Sequence, residues 1–168
     1  METNRNLTAP EVLAVAIKAE VNAENIYKAM AERVRNELVK EKLLNLSNEE
    51  KKHENMLRSM YKQITNGQEP VLQSKGISEV EDFLKGNYTH EAALEMAIQS
   101  EEKAEKFYLD AAQNSEDPNG RFMFEYLANF ERGHKVLLQN ELDALKRNPH
   151  WFDDQGLPWE GDAFHVGP

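Results

Sequence analysis

The chain contains no cysteine. That excludes disulfides, thiolate nucleophiles, cysteine-ligated iron–sulfur clusters and cysteine-based zinc sites, so any bound metal must be held by carboxylate and imidazole. Basic charge is scarce: 20 Lys and Arg stand against 30 Asp and Glu, a formal net charge of −10. No nucleic-acid partner is expected, because a polyanion binder needs a basic face. Long apolar runs are missing as well. No stretch approaches the roughly 20 residues of a membrane span, so no membrane partner is expected. The first residues, Met1-Glu2-Thr3-Asn4-Arg5-Asn6, carry neither the basic nor the apolar part of a secretion signal, and the expected location is cytoplasmic.

What the chain does have is helical periodicity. Its 168 residues suffice for one domain with a substantial core. Thr8-Ala9-Pro10-Glu11 reads as a capping box with proline in the first turn, followed by an apolar stripe through Leu13, Ala16, Ile17, Ala23, Tyr27, Met30 and Ala31. A break near Arg35-Asn36-Glu37 separates this helix from a second one, which carries Leu43, Leu44, Leu46, Met56, Leu57 and Met60 and stops at Asn66-Gly67. A third helix starts after Thr89 and runs to about Asn114. Asp117-Pro118-Asn119-Gly120 caps a fourth, which ends near Arg147, before Pro149. Residues 67–88 form a long connection with a short helix expected at about Ile77–Leu84. Fully extended, about 22 residues reach about 70 Å, well beyond the ~40 Å of a helix of roughly 28 residues. The second and third helices (B and C) are therefore free to run parallel, joined by a crossover along the bundle. Residues 1–147 are expected to form the bundle. Residues 148–168, with His150, Trp151, Phe152, Trp159 and His165, are read as an aromatic tail docking on the bundle or a neighbouring subunit.

The chain repeats itself. At an offset of 81 residues, Leu13, Ala16, Ile17, Glu20, Ala23, Glu24, Tyr27 and Ala31 fall on Leu94, Ala97, Ile98, Glu101, Ala104, Glu105, Tyr108 and Ala112. The same offset puts Leu46, Asn48, Glu50, His53 and Leu57 on Leu127, Asn129, Glu131, His134 and Leu138. Two related αα-hairpins about a pseudo-twofold axis follow from this.

Both copies carry the same polar residues among apolar ones. Glu50-Lys51-Lys52-His53 and Glu131-Arg132-Gly133-His134 are two Glu-x-x-His motifs, and residues i and i+3 share a helix face. Glu20 and Glu101 lie within apolar stripes. Each is as far from its hairpin turn as the histidine across from it, so all six groups are expected at one height. Four buried carboxylates repel unless protons or cations neutralise them, and two divalent ions carry the matching charge. Carboxylate pairs plus Glu-x-x-His motifs in a bundle core are the di-iron or di-manganese pattern; zinc also fits such donors. Glu20, Glu50, His53, Glu101, Glu131 and His134 are the candidate ligands. A lone Glu-x-x-His on a lysine-rich helix is usually a solvated face; two copies at one offset, each with a core-stripe glutamate, weigh against that. Glu24 and Glu105 flank the stripes and are read as surface ion-pair partners. Tyr27 and Tyr108 are either core fillers or hydrogen-bond donors to ligand carboxylates. His90, near a helix start, is expected to be exposed.

These residues resemble the rubrerythrin branch of the ferritin-like superfamily over roughly residues 9–147. The resemblance implies an all-α, ferritin-like four-helix bundle with a long B–C crossover. It also implies a di-iron centre that reacts with hydrogen peroxide or dioxygen, and a homodimer. It assigns Glu50 and Glu131 as bridging ligands, Glu20 and Glu101 as terminal ones, and one histidine to each iron. The chain departs from rubrerythrins in two ways. It has none of the four cysteines of a rubredoxin domain, so electrons are expected from an external donor, or the protein is not a full peroxidase. Ala104 stands where rubrerythrins have a further glutamate, which makes the site more symmetric. The expected function is a peroxide reductase or ferroxidase. The alternatives are a non-catalytic metal-binding protein and an interaction module stapled by metal. A zinc-filled chain silent toward peroxide would fit that module.

Overall fold

The computed structural model describes residues 7–72 and 88–153, together with residues 83, 85 and 86. Four helices account for most of them: α1 (Ala9–Glu32), α2 (Glu37–Ile64), α3 (His90–Asn114) and α4 (Pro118–Arg147). No strand occurs among the described residues.

Local chemistry sets each boundary. The Glu11 carboxylate accepts hydrogen bonds from Thr8 N (2.8 Å) and Thr8 Oγ1 (2.7 Å) at the start of α1. Asn36 begins α2, its side-chain oxygen accepting from Leu38 N (3.0 Å) and Val39 N (3.4 Å). Thr89 Oγ1 accepts from Ala92 N (3.1 Å), and Asp117 accepts from Gly120 N (2.9 Å) ahead of Pro118. Such caps satisfy amide donors that the first helical turn leaves open. After α2 the chain turns through Asn66 (φ 55°) and Gly67 (φ 87°), a left-handed stop that suits this pair.

The helices pack as two hairpins, α1 with α2 and α3 with α4, joined by α1 against α3 and α2 against α4. Two crossed hydrogen bonds fix the direction of α1 against α3. Tyr27 donates to Glu101, and Tyr108 donates to Glu20. Moving up α1 from 20 to 27 therefore means moving down α3 from 108 to 101, so these helices are antiparallel. Since α1 is also antiparallel to its hairpin partner, α2 and α3 run parallel. The α2–α3 connection must then span the bundle, as the ferritin-like topology requires. The short helix expected at about residues 77–84 lies outside the described residues, apart from Phe83, which is buried.

The apolar core is split in two. Met30, Val39, Leu43, Leu46, Leu94, Leu138 and Leu142 fill one end of the bundle. Leu13, Ile17, Leu57, Phe107, Phe124 and Leu127 fill the other. Each fully buried large aliphatic side chain stabilises the fold by about 1.5–3 kcal/mol. That apolar packing at both ends confines the charged layer between them.

Residues 150–153 lie on the bundle. Phe152 is buried in the first cluster, and its carbonyl accepts from Arg35 N (2.9 Å) and Asn36 N (3.0 Å). Trp151 Nε1 donates to Glu141 (3.0 Å). Trp159 and His165 fall outside the described residues. His90 differs from expectation. It is half-buried, not exposed, because its ring sits 5.0 Å from that of Phe152, and burial lowers its pKa. No described helix is long and apolar enough to cross a membrane.

Candidate metal centre

All six candidate ligands lie in the layer between the two apolar clusters, each no more than 3% exposed. α1 contributes Glu20, α2 Glu50 and His53, α3 Glu101, and α4 Glu131 and His134. They form two overlapping sets. Glu20, Glu50, His53 and Glu131 each offer an atom within 4.8 Å of the others, and so do Glu50, Glu101, Glu131 and His134. Glu50 and Glu131 belong to both. Each set thus holds three carboxylates and one imidazole.

The imidazoles present Nδ1 to this cluster. His53 Nδ1 is 3.1 Å from Glu50, 3.6 Å from Glu20 and 3.7 Å from Glu131. His134 Nδ1 is 3.0 Å from Glu50 and 3.6 Å from Glu131. The two rings stack, with centroids 5.7 Å apart. Tyr27 and Tyr108 are both core residues and donors: each hydroxyl bonds the glutamate of the opposite hairpin.

Proximity perturbs these groups strongly. Burial raises Glu20 well above the usual carboxyl range, with Glu131 and Glu50 adding to it and His53 opposing. Burial and Glu131 raise Glu101 likewise. Burial also pushes Glu50 up, but the His134 and His53 imidazoles against its carboxylate outweigh it and hold Glu50 at about 2. For the imidazoles burial works downward and the glutamates win, leaving His53 at about 9 and His134 at about 12. Burial and the nearby Glu20 charge raise Tyr108, so it stays a phenol donor. Without metal, protons on the imidazoles offset the buried carboxylates.

The residues fit a metal pair. Glu50 Oε1, Glu131 Oε1 and His134 Nδ1 are buried and make no well-formed hydrogen bond, although Glu50 Oε1 and His134 Nδ1 lie 3.0 Å apart, and all three residues belong to the ligand sets. Native proteins rarely leave buried polar atoms without a well-formed hydrogen bond, and here three such atoms are gathered in one buried layer. Oxygen-rich donors with one imidazole per position suit iron or manganese.

Glu24 and Glu105 lie at the edge of the layer and join neither set. Glu24 pairs with Lys28 and Lys51, and Glu105 with Arg132 (2.7 Å) and Lys135 (2.9 Å). They are ion-pair partners as expected, though only 9% and 8% exposed. Sequence reasoning missed Glu49, whose Oε2 lies 2.8 Å from His134 Nε2. The available signal was a break in the 81-residue repeat, since Phe130 stands at the equivalent position.

A crevice of about 520 Å³ between α1 and α3 reaches the layer. Ala19, Ala23, Ala97 and Ala104 line it, along with Glu20, Glu101 and Glu131. Ala104 offers no ligand atom and leaves the crevice open at that point.

The fold and this buried layer define a ferritin-like four-helix bundle with a carboxylate–histidine centre. The sequence profile of the rubrerythrin family matches residues 11–142, so the chain belongs to the rubrerythrin family. A solved structure of a hypothetical protein from Pyrococcus furiosus is similar, with a TM-score of 0.71 and 30% identity. The match covers 86% of this chain and 94% of that one. Among curated proteins, none matches the chain significantly.

Proposed function

We propose that the chain is a non-haem di-iron oxidoreductase, reducing hydrogen peroxide or dioxygen with electrons from an external donor, as a peroxide reductase or ferroxidase. What supports this most is the pair of buried four-residue sets sharing Glu50 and Glu131. Two iron ions held there would supply the two electrons that reduction of a peroxide requires.

The chain's own residues do the rest. Glu50 and Glu131 would bridge, Glu20 and Glu101 would each cap one position, and His53 and His134 would take one ion each through Nδ1. The Tyr108 and Tyr27 hydroxyls hold the Glu20 and Glu101 carboxylates in place. The crevice beside Ala104 gives a small oxidant a path to these carboxylates, while the apolar clusters keep bulk water from the layer's ends.

Stopped-flow mixing of the ferrous protein with peroxide tests the reading. Fast oxidation at two irons per chain, reversed by reductant, is expected. A protein that binds zinc tightly but leaves peroxide untouched contradicts it.

A further inference from the structure

The repeat makes the two metal positions alike in their ligands but not in what lies behind them. Behind His134 stands a carboxylate: Glu49 Oε2 is 2.8 Å from His134 Nε2. The residue equivalent to Glu49 in the second hairpin is Phe130. Its ring meets His53 edge-on, with centroids 5.1 Å apart and planes at 77°. One imidazole is thus anchored by a charged acceptor and the other by aromatic packing.

The difference has a chemical consequence. A carboxylate that accepts from Nε2–H fixes the tautomer with its lone pair on Nδ1, fixes the ring's angle, and raises the basicity of Nδ1 toward a metal. His134 Nδ1 is buried and already presented to Glu50 (3.0 Å) and Glu131 (3.6 Å). An aromatic edge fixes ring position but selects neither tautomer nor basicity. Phe130 also lies against His134, at 6.4 Å, so its packing serves both rings and does not distinguish them.

We propose that Glu49 is a positioning residue that makes the two metal positions unequal. The position bounded by Glu50, Glu101, Glu131 and His134 fills first and releases its ion last. This rests on the di-metal reading above.

The test withdraws cobalt(II) from the cobalt-loaded full-length chain with a chelator, followed by visible absorption. The native chain should release cobalt in two steps whose apparent affinities differ about ten- to a hundredfold, the range by which such outer partners alter metal affinity. Glu49→Ala should bring the steps together by weakening the tighter one, with Glu49→Gln in between. Phe130→Glu should bring them together from the other side, by tightening the weaker one. In the zinc-loaded native chain, the His134 Nε2 proton should exchange with solvent more slowly than that of His53. Glu49→Ala should remove that protection while helical circular dichroism stays unchanged. Coincident steps in the native chain, a separation that survives Glu49→Ala, or equal exchange at the two rings would overturn the proposal. Two ions released in such coincident steps sink this proposal alone; fewer than two cobalt ions per native chain sinks the di-metal reading with it.

Discussion

At the residue scale, protons and metal ions compete for the same atoms. His53 and His134 hold protons up to about pH 9 and about pH 12 in the metal-free layer. Metal loading at neutral pH should therefore release at least these two protons per chain, with Glu20 and Glu101 adding to the release. A lightly buffered titration with an indicator dye measures this, and loading without proton release would contradict it. The shared carboxylates should matter most. Glu50→Ala removes a donor from both sets and should cost both ions, whereas Glu20→Ala removes one donor from one set and should mainly weaken one ion. Metal content per chain decides between these outcomes. The six candidate ligands were legible in the sequence as three pairs, because the 81-residue repeat carries the same glutamate and Glu-x-x-His motif in each half. Glu49 was not legible, because Phe130 breaks the repeat there and its bond to His134 crosses from α2 to α4. Tyr27 and Tyr108 were readable as inward-facing. Their roles as donors depend on reaching across to the opposite hairpin, which spacing along one helix does not reveal.

At the element scale, the helix ends follow from short-range chemistry, which explains why they were readable. Thr8, Thr89 and Asp117 cap helices where the sequence places such residues ahead of apolar stripes. Asn66-Gly67 ends α2 in the left-handed backbone that such a pair favours. Asn36 does more than its place in the turn foretold. It caps α2, and its Nδ2 donates to Trp151 O (2.8 Å), tying the start of the tail to the α1–α2 turn. Asn36→Ala should therefore destabilise the bundle by about 1–2 kcal/mol, lowering the melting temperature by several degrees. Thermal melts of the metal-loaded chain measure this, and an unchanged midpoint would contradict it. The docking of Phe152 and the half-burial of His90 were not readable in advance, because they join residues far apart in the chain.

At the scale of the whole molecule, two apolar clusters hold together a layer that would be unfavourable alone. In the metal-free chain the imidazoles have folded pKa values above their usual 6.5. Their contribution to stability is complete below about 6.5 and is lost as pH rises through about 9 for His53 and about 12 for His134. The raised carboxyls of Glu20 and Glu101 act in the same direction, favouring the fold while they stay protonated. Glu50 acts in the opposite direction: its contribution is present above its usual 4.5 and is lost as pH falls toward about 2. The metal-free bundle should therefore lose stability progressively as pH rises above about 6.5, the His53 share being spent by about pH 9 and the His134 share by about pH 12, and denaturant melts in chelator across pH test this. Metal should flatten that alkaline loss, since bound ions replace the protons. The bundle topology was legible because one repeat fixed the hairpins and the length of the α2–α3 connection permitted a crossover. The antiparallel pairing of α1 and α3 needed the crossed tyrosine bonds to establish it. The most direct test of the account is anomalous diffraction at the iron edge from crystals of protein expressed with iron. Two peaks per chain are expected, one within each four-residue set and both beside Glu50 and Glu131. Anomalous density confined to the surface, or none within the buried layer, would contradict it.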